Sequence, residues 1–204
     1  MKRSFASVIA MLVAAWVIAG CAGGYGSGSG WTSLIDGAKG MENWSVSGSN
    51  GNWRAEDGAI QADKLVSGKG ASVLVSSRSF RDFELYVEFW AAEDTNNGVY
   101  LRAPNPAQVN TASGAYEVQI WDKNPNPKYA TGSLVNVAAV EPIYKAAGRW
   151  NTFEVVAKGT QITVKMNGVT TARIRDARNT GAGRIGLQFN GGPIKFRALR
   201  VREL

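Results

Sequence analysis

The sequence contains no histidine, one cysteine and six prolines in 204 residues, and each scarcity closes a class of function. Without histidine there is no imidazole to shuttle protons near neutrality or to ligate a metal, so histidine-based triads and the usual zinc sites are excluded. A lone Cys21 permits no intrachain disulfide and no zinc–thiolate set, so an apolar core must hold the fold together. Charged residues make up only 19% of the chain. A nucleic-acid surface would cluster its basic residues on one face with interleaved aromatics, whereas here they are scattered along the sequence, densest in Arg173, Arg175, Arg178, Arg184 and the stretch from Lys195 to Arg202, and nucleic acid is not an expected partner. No apolar run is long enough to span a bilayer with its flanks, and no stretch carries the periodicity of a long amphipathic helix.

What is present begins with Lys2 and Arg3, an apolar run from Val8 to Ile18, and Ile18-Ala19-Gly20-Cys21. A basic start, a short apolar core and small residues before a cleavage point describe an export signal. The last four residues resemble a bacterial lipobox, which implies that Cys21 is acylated and becomes the mature N-terminus. The expected organisation is a signal over 1–20, a lipidated cysteine and Gly/Ser tether over 21–30, and one folded domain over 31–204, anchored to a membrane and not spanning it. Ala22 after Cys21 resembles the outer-membrane sorting pattern, so the expected location is the cell envelope, on the periplasmic side of an outer membrane.

In the folded part, short runs alternate apolar and polar residues between turn signals, the pattern of a β-sandwich. Asp57-Gly58 and Asn167-Gly168 each separate two such runs, and both dipeptides suit hairpin turns in which the two central residues take positive φ. Strands are expected over 53–56, 59–62, 71–76, 83–91, 98–102, 116–121, 151–157, 161–166, 169–174, 183–189 and 194–201. The stretches 104–113 and 122–148 read as long loops, and loops of that length in a small domain commonly carry function.

Period-two alternation then assigns faces. Phe83, Leu85, Val87 and Phe89 point to the core, which turns Glu84, Tyr86, Glu88 and Trp90 outward. By the same reasoning Tyr100 and Arg102 project from one strand, Glu117, Gln119 and Trp121 from the next, and Gln188 from another. If these strands share a sheet, Glu88, Tyr100, Arg102, Glu117, Gln119 and Gln188 converge on a polar, aromatic surface. Flat rings pack on the apolar faces of pyranoses and amide, guanidinium and carboxylate groups pair with hydroxyls, so a carbohydrate is the expected partner.

The sequence resembles the 3-keto-disaccharide hydrolase domain family, formerly a bacterial domain of unknown function. The resemblance is carried by Gly30-Trp31-Thr32-Ser33-Leu34-Ile35-Asp36-Gly37, Phe80-Arg81-Asp82-Phe83-Glu84-Leu85, Asn96-Asn97-Gly98-Val99-Tyr100-Leu101-Arg102, Tyr116-Glu117-Val118-Gln119-Ile120-Trp121-Asp122, Gly148-Arg149-Trp150-Asn151-Thr152 and Gly186-Leu187-Gln188. It implies an all-β, concanavalin A-like jelly-roll sandwich of two antiparallel sheets that cleaves glycosides whose sugar is oxidised to a ketone at C3. The site residues it implies are Glu88, Asn96, Arg102, Glu117, Gln119, Asp122 and Gln188. Two positions depart from the family pattern: Val135 stands where many relatives have tyrosine, and Asn190 where many have histidine.

The implied chemistry is removal of the acidified C2 proton followed by loss of the glycosidic oxygen. Glu117 or Glu88 would be the base, Arg102 with Gln119 would hold the enolate oxygen, and Tyr100 or the second carboxylate would protonate the leaving oxygen, with Asn96, Trp121, Asp122 and Gln188 binding the sugar. A divalent cation held by carboxylates with Asn96 or Asp122 is an alternative to part of Arg102's role. A non-catalytic carbohydrate-binding module and a structural envelope lipoprotein remain open beside the enzyme, because a jelly-roll scaffold does not set function.

Overall fold

The computed structural model describes residues 30–204. The export signal, the Cys21 lipidation site and the tether as far as Ser29 lie outside the described residues.

Among the described residues, alternating sequence becomes thirteen strands with one 3-10 turn at Met41–Asn43. In chain order they are β1 (Thr32–Asp36), β2 (Trp44–Gly51), β3 (Arg54–Glu56), β4 (Ala59–Ala62), β5 (Leu65–Phe80), β6 (Phe83–Ala91) and β7 (Asn97–Ala103). There follow β8 (Tyr116–Ile120), β9 (Trp150–Lys158), β10 (Gln161–Met166), β11 (Val169–Arg175), β12 (Gly183–Phe189) and β13 (Ile194–Glu203). The two predicted hairpin turns form as expected, with φ of 51° and 71° at Asp57 and Gly58 and of 50° and 82° at Asn167 and Gly168. They join β3 to β4 and β10 to β11.

The strands form the expected all-β sandwich of two antiparallel sheets. One sheet has eight strands in the order β11-β10-β9-β6-β13-β4-β3, with β1 also paired to β13, and the other has five in the order β2-β5-β12-β7-β8. Their facing surfaces bury Phe83, Leu85, Val87 and Phe89 from one side and Val99, Leu101, Val118 and Leu187 from the other. Phe89 stacks on Phe153 of β9 at 4.5 Å between ring centroids. Trp53 bridges the layers, meeting Phe189 of β12 edge-on and Phe196 of β13 in a stack. Rings in such arrangements add about 0.5–1.5 kcal/mol beyond their buried area.

Two strands go beyond the sequence expectation. β1 is short, and β2 (Trp-Ser-Val-Ser-Gly-Ser-Asn-Gly) is a serine- and glycine-rich edge strand with a solvated outer side, so it shows little hydrophobic alternation. One feature of the connectivity governs the site. β6 lies in the eight-stranded sheet and β7 in the five-stranded one, so the chain crosses between layers through residues 92–96.

Candidate functional site

The outer face of the five-stranded sheet is built from cross-strand rows. One row runs Ser47, Val73, Gln188, Gly98, Gln119, and the next runs Ser45, Val75, Gly186, Tyr100, Glu117, each residue opposite its neighbour in the pairing register. Val99, Leu101, Val118 and Leu187 fill the core, so alternation turns Gly98, Tyr100, Glu117, Gln119 and Gln188 to the other side. Segment 132–135 lies beside the free edge of β8, with Val135 N–H donating to the Glu117 carbonyl at 3.0 Å and Gln119 N–H donating to the Ser133 carbonyl at 3.0 Å. Above the sheet, Val109 of the 104–115 loop packs with Val73 and Tyr100. The result is a groove of about 340 Å³ whose lining includes Ser47, Val73, Tyr100, Val109, Gln188 and Asn190.

Glu117 sits at the edge of this floor, 7% exposed. Burial pushes its carboxyl up from the usual carboxylate range to about 7, against the opposing pull of hydrogen bonding with Tyr100 and Gln188. The Gln188 amide donates to the Tyr100 hydroxyl at 2.5 Å. Burial, and then the Glu117 charge, raise the Tyr100 pKa far above its ordinary value, so the phenol stays protonated and acts as a donor. A carboxyl poised near neutrality beside a neutral phenol in a cleft is the combination expected of a proton-transfer site.

Gly98 makes room for that carboxyl. A Cβ built on it would stand 2.7 Å from Glu117 Oε1 and 3.0 Å from its Cγ. Glycine inside a strand commonly marks such a close approach, and this signal in the sequence could have singled out Gly98. Asn97, also missed, is completely buried: its Oδ1 accepts from Asn190 N–H at 2.7 Å and its Nδ2 donates to the Gly192 carbonyl at 3.2 Å, which sets the turn that carries Asn190 to the groove.

Of the predicted site residues, Tyr100, Glu117, Gln119 and Gln188 come together; the others do not. Glu88 is on the outer face of the eight-stranded sheet, on the far side of the sandwich, because β6 pairs with β9 and β13 and not with β7. Its carboxylate accepts from the Tyr86 hydroxyl and the Arg197 guanidinium. Burial raises its pKa, but those two partners outweigh burial and hold it below the usual carboxylate range.

Arg102 is also displaced. The β7–β12 register slips between Arg184 and Gly186, so Leu101 and Arg102 together span the single Ile185, and Arg102 has φ of 51°. A bulge of this kind breaks the alternation and re-aims the side chain. The residue is 1% exposed. Its guanidinium donates to the carbonyls of Arg81 (2.7 Å), Gly159 (2.8 Å) and Asn179 (3.1 Å) and to Asp82 Oδ1 (3.0 Å), tying three turns to β7.

Asp122 is a loop staple. One oxygen accepts from the Thr131 hydroxyl at 2.6 Å and the other from the N–H groups of Ala146 and Ala147 at 2.7 and 2.8 Å. It borders a separate cavity of about 580 Å³ with Glu93, Lys123, Ile143 and Lys145. Trp121 is half-buried just after β8, its backbone N–H donating to the Thr131 hydroxyl at 2.9 Å. Asn96 is half-buried in the crossover, its backbone N–H on the Gly191 carbonyl at 2.8 Å.

A divalent cation does not fit this donor set. Among the described residues no three carboxylates or thiols gather closely enough to hold one, and both oxygens of Asp122 and of Glu88 are already taken by protein donors.

The sequence profile of the 3-keto-alpha-glucoside-1,2-lyase-like domain family matches residues 30–202. Among curated proteins, none matches the chain significantly. A provisionally assigned glycosyl hydrolase from Parabacteroides distasonis superposes with a TM-score of 0.72 at 17% identity, over 86% of this chain and 94% of that one. A second from the same organism gives 0.69 at 22% identity, over 85% and 99%. A carbohydrate-binding module from Bacillus subtilis gives 0.52 at 15% identity, over 84% and 94%. At these identities the superpositions establish a shared jelly-roll fold.

Proposed function

We propose, for a chain that belongs to the 3-keto-alpha-glucoside-1,2-lyase-like domain family, that the groove of the five-stranded sheet cleaves glycosides bearing a ketone at C3, with Glu117 as the base. The observation that carries this reading is the buried Glu117 carboxyl with a pKa near 7, beside a phenol that remains protonated.

A C3 ketone acidifies the proton on C2. Ionised Glu117 takes that proton, the C2–H electron pair moves into the enolate, and the C1–O bond then breaks to leave a C1=C2 double bond. The departing oxygen recovers a proton from Glu117, now a carboxylic acid, so no external acid or oxidant is required. Water adding across C1=C2 would complete a net hydrolysis. With Arg102 committed to the turns, the enolate oxygen falls to neutral donors. The Tyr100 hydroxyl is oriented by Gln188, and the Gln119 amide has its Oε1 occupied by Ile120 N–H at 3.1 Å, which favours its N–H end facing outward. Preorganised neutral donors of this sort are worth up to about 3–4 kcal/mol each in a transition state.

Because the base must be ionised, turnover is expected to rise with pH through about 7 and level off above it; a flat profile from about pH 5 to about pH 9, roughly two units either side of that value, would remove Glu117 as base. Gly98→Ala is expected to push the carboxyl off its position, cutting turnover at least about tenfold at a stability cost of about 1–3 kcal/mol. Unchanged kinetics would show that the carboxyl position is unimportant.

One observation favours a second reading, sugar binding without cleavage. Val135, where many family members have tyrosine, lies directly beside Glu117 in the sheet register, so the chain lacks a hydroxyl at that point. Incubation with a 3-keto disaccharide and with its unoxidised parent separates the two. Release of the aglycone only from the 3-keto sugar supports the lyase, whereas calorimetric binding of either sugar with no product supports the module. We place the protein in the cell envelope, anchored through acylated Cys21, on the strength of the lipobox-like sequence.

A further inference from the structure

The outer face of the eight-stranded sheet, opposite the groove, is basic and rich in tryptophan. Phe196, Leu199 and Val201 of β13 fill the core, so the same strand turns Lys195, Arg197, Arg200 and Arg202 outward. The edge hairpin β10–β11 adds Lys165, Arg173 and Arg175, all exposed. Glu84, Glu88 and Glu154 are the carboxylates in these rows, so positive charge predominates, while the two rows that floor the groove contain no lysine or arginine.

Three partly exposed tryptophans share this basic face. Trp90 and Trp150 oppose each other across β6 and β9, and Trp31 precedes β1. Lys195 stands 5.6 Å over Trp90, Arg197 4.3 Å over Trp150 and Arg202 5.1 Å over Trp31. Clustered cations are drawn to anionic lipid headgroups, and indoles settle at the headgroup level of a bilayer.

The point where the described chain begins lies on the same side. A Cβ placed on Gly30 would be 3.7 Å from Arg202 Cδ. Gly30 is nine residues beyond Cys21, and at about 3.5 Å per residue a chain of that length cannot exceed roughly 30 Å. A domain held so short a distance from a lipid must rest some part of its surface near the bilayer.

We infer that the face carrying β13 and the β10–β11 hairpin docks on an anionic phospholipid bilayer, leaving the groove open on the side away from the membrane. The inference rests on acylation of Cys21 for delivery of the domain to the surface, and is independent of the chemistry in the groove. The test uses the full chain, whose acylation is read from its mass, reconstituted on vesicles of phosphatidylethanolamine with phosphatidylglycerol or of phosphatidylcholine alone. Lysines are acetylated and quantified by peptide mass spectrometry.

Lys165, Lys195 and Lys158, which ends β9 opposite Gln161 on the same face, are expected to react several-fold more slowly on the anionic vesicles, with Lys69 of β5 in the five-stranded sheet and Lys128 of the 122–148 loop unchanged. The protection should vanish in about 1 M salt, where the Debye length shrinks to about 3 Å, and should fall in the Arg173→Glu, Arg175→Glu double variant. Equal reactivity on both vesicles overturns the proposal, as does protection of Lys69 and Lys128 in place of the basic face. Equally strong protection of the same lysines by soluble polygalacturonate also overturns it, by assigning the face to an anionic glycan.

Discussion

Glu117→Gln is expected to lower turnover of a 3-keto glucoside by at least about a hundredfold, the usual range for removing a general base, while leaving the protein folded and more stable above neutral pH. The stability half of this result follows from linkage. In the folded chain the Glu117 carboxyl titrates at about 7, whereas in the unfolded chain it titrates near 4.3. Below about pH 4 both states hold the proton and the native state pays no penalty. As pH rises from there to 7 the unfolded state ionises first, so stability falls, and the loss is complete above 7, on the order of 3 kcal/mol. Glutamine carries no such proton. The difference between wild-type and variant stability, measured by urea unfolding at several pH values, should therefore be pH-dependent between about 4 and 7 and flat on either side. Undiminished turnover would dismiss Glu117 from the chemistry, and a flat difference curve would show that its carboxyl is not raised at all.

Arg102→Ala carries the second large effect, and it falls on stability. The substitution leaves three backbone carbonyls and the Asp82 carboxylate without their donor at a point 1% exposed. Each buried carbonyl left without its donor costs about 1–3 kcal/mol, and loss of the ion pair adds less because the Asp82 side chain is 31% exposed, so a total of about 3–5 kcal/mol is expected. For a domain of this size that corresponds to a drop in Tm on the order of 10 °C. Asp82 also accepts from Gly159 N–H at 2.8 Å, and the Asn179 amide donates to the Arg102 carbonyl at 2.8 Å, so the loss should spread to the turns at that end of the sandwich. Arg102→Lys keeps the charge but cannot serve all four acceptors, and should fall between. Well below its melting point the lysine variant should keep normal turnover per folded molecule. A large loss of turnover with an unchanged Tm would return Arg102 to the substrate.

The contrast between these two residues shows where alternation is informative. Glu117 and Gln119 follow Tyr116 in a strand whose core-facing Val118 and Ile120 keep strict period two, so their outward placement was legible. Arg102 ends a run with equally clear alternation, yet one bulged position turns it inward, and nothing in Val-Tyr-Leu-Arg-Ala marks that extra residue. Its partners come from turns after β5, β9 and β11, which approach β7 only in the folded chain. Glu88 fails for another reason. Its own strand spans Phe83–Ala91, as the alternation predicts, but period two states only that it faces away from Phe89. It does not say which sheet that strand joins.

From the residues alone one can know that the chain is all-β, where most strands and two hairpin turns lie, which side chains form the core, and that imidazole and thiolate chemistry are excluded from the folded domain. These follow from local periodicity, turn stereochemistry and composition. The tertiary structure decided the partition of strands between two sheets, the bulge that buries Arg102, and the environment that lifts Glu117 beside Tyr100 and Gln188. Those depend on pairings between residues far apart in sequence and on the loss of water around a buried charge, neither of which is encoded in any single segment.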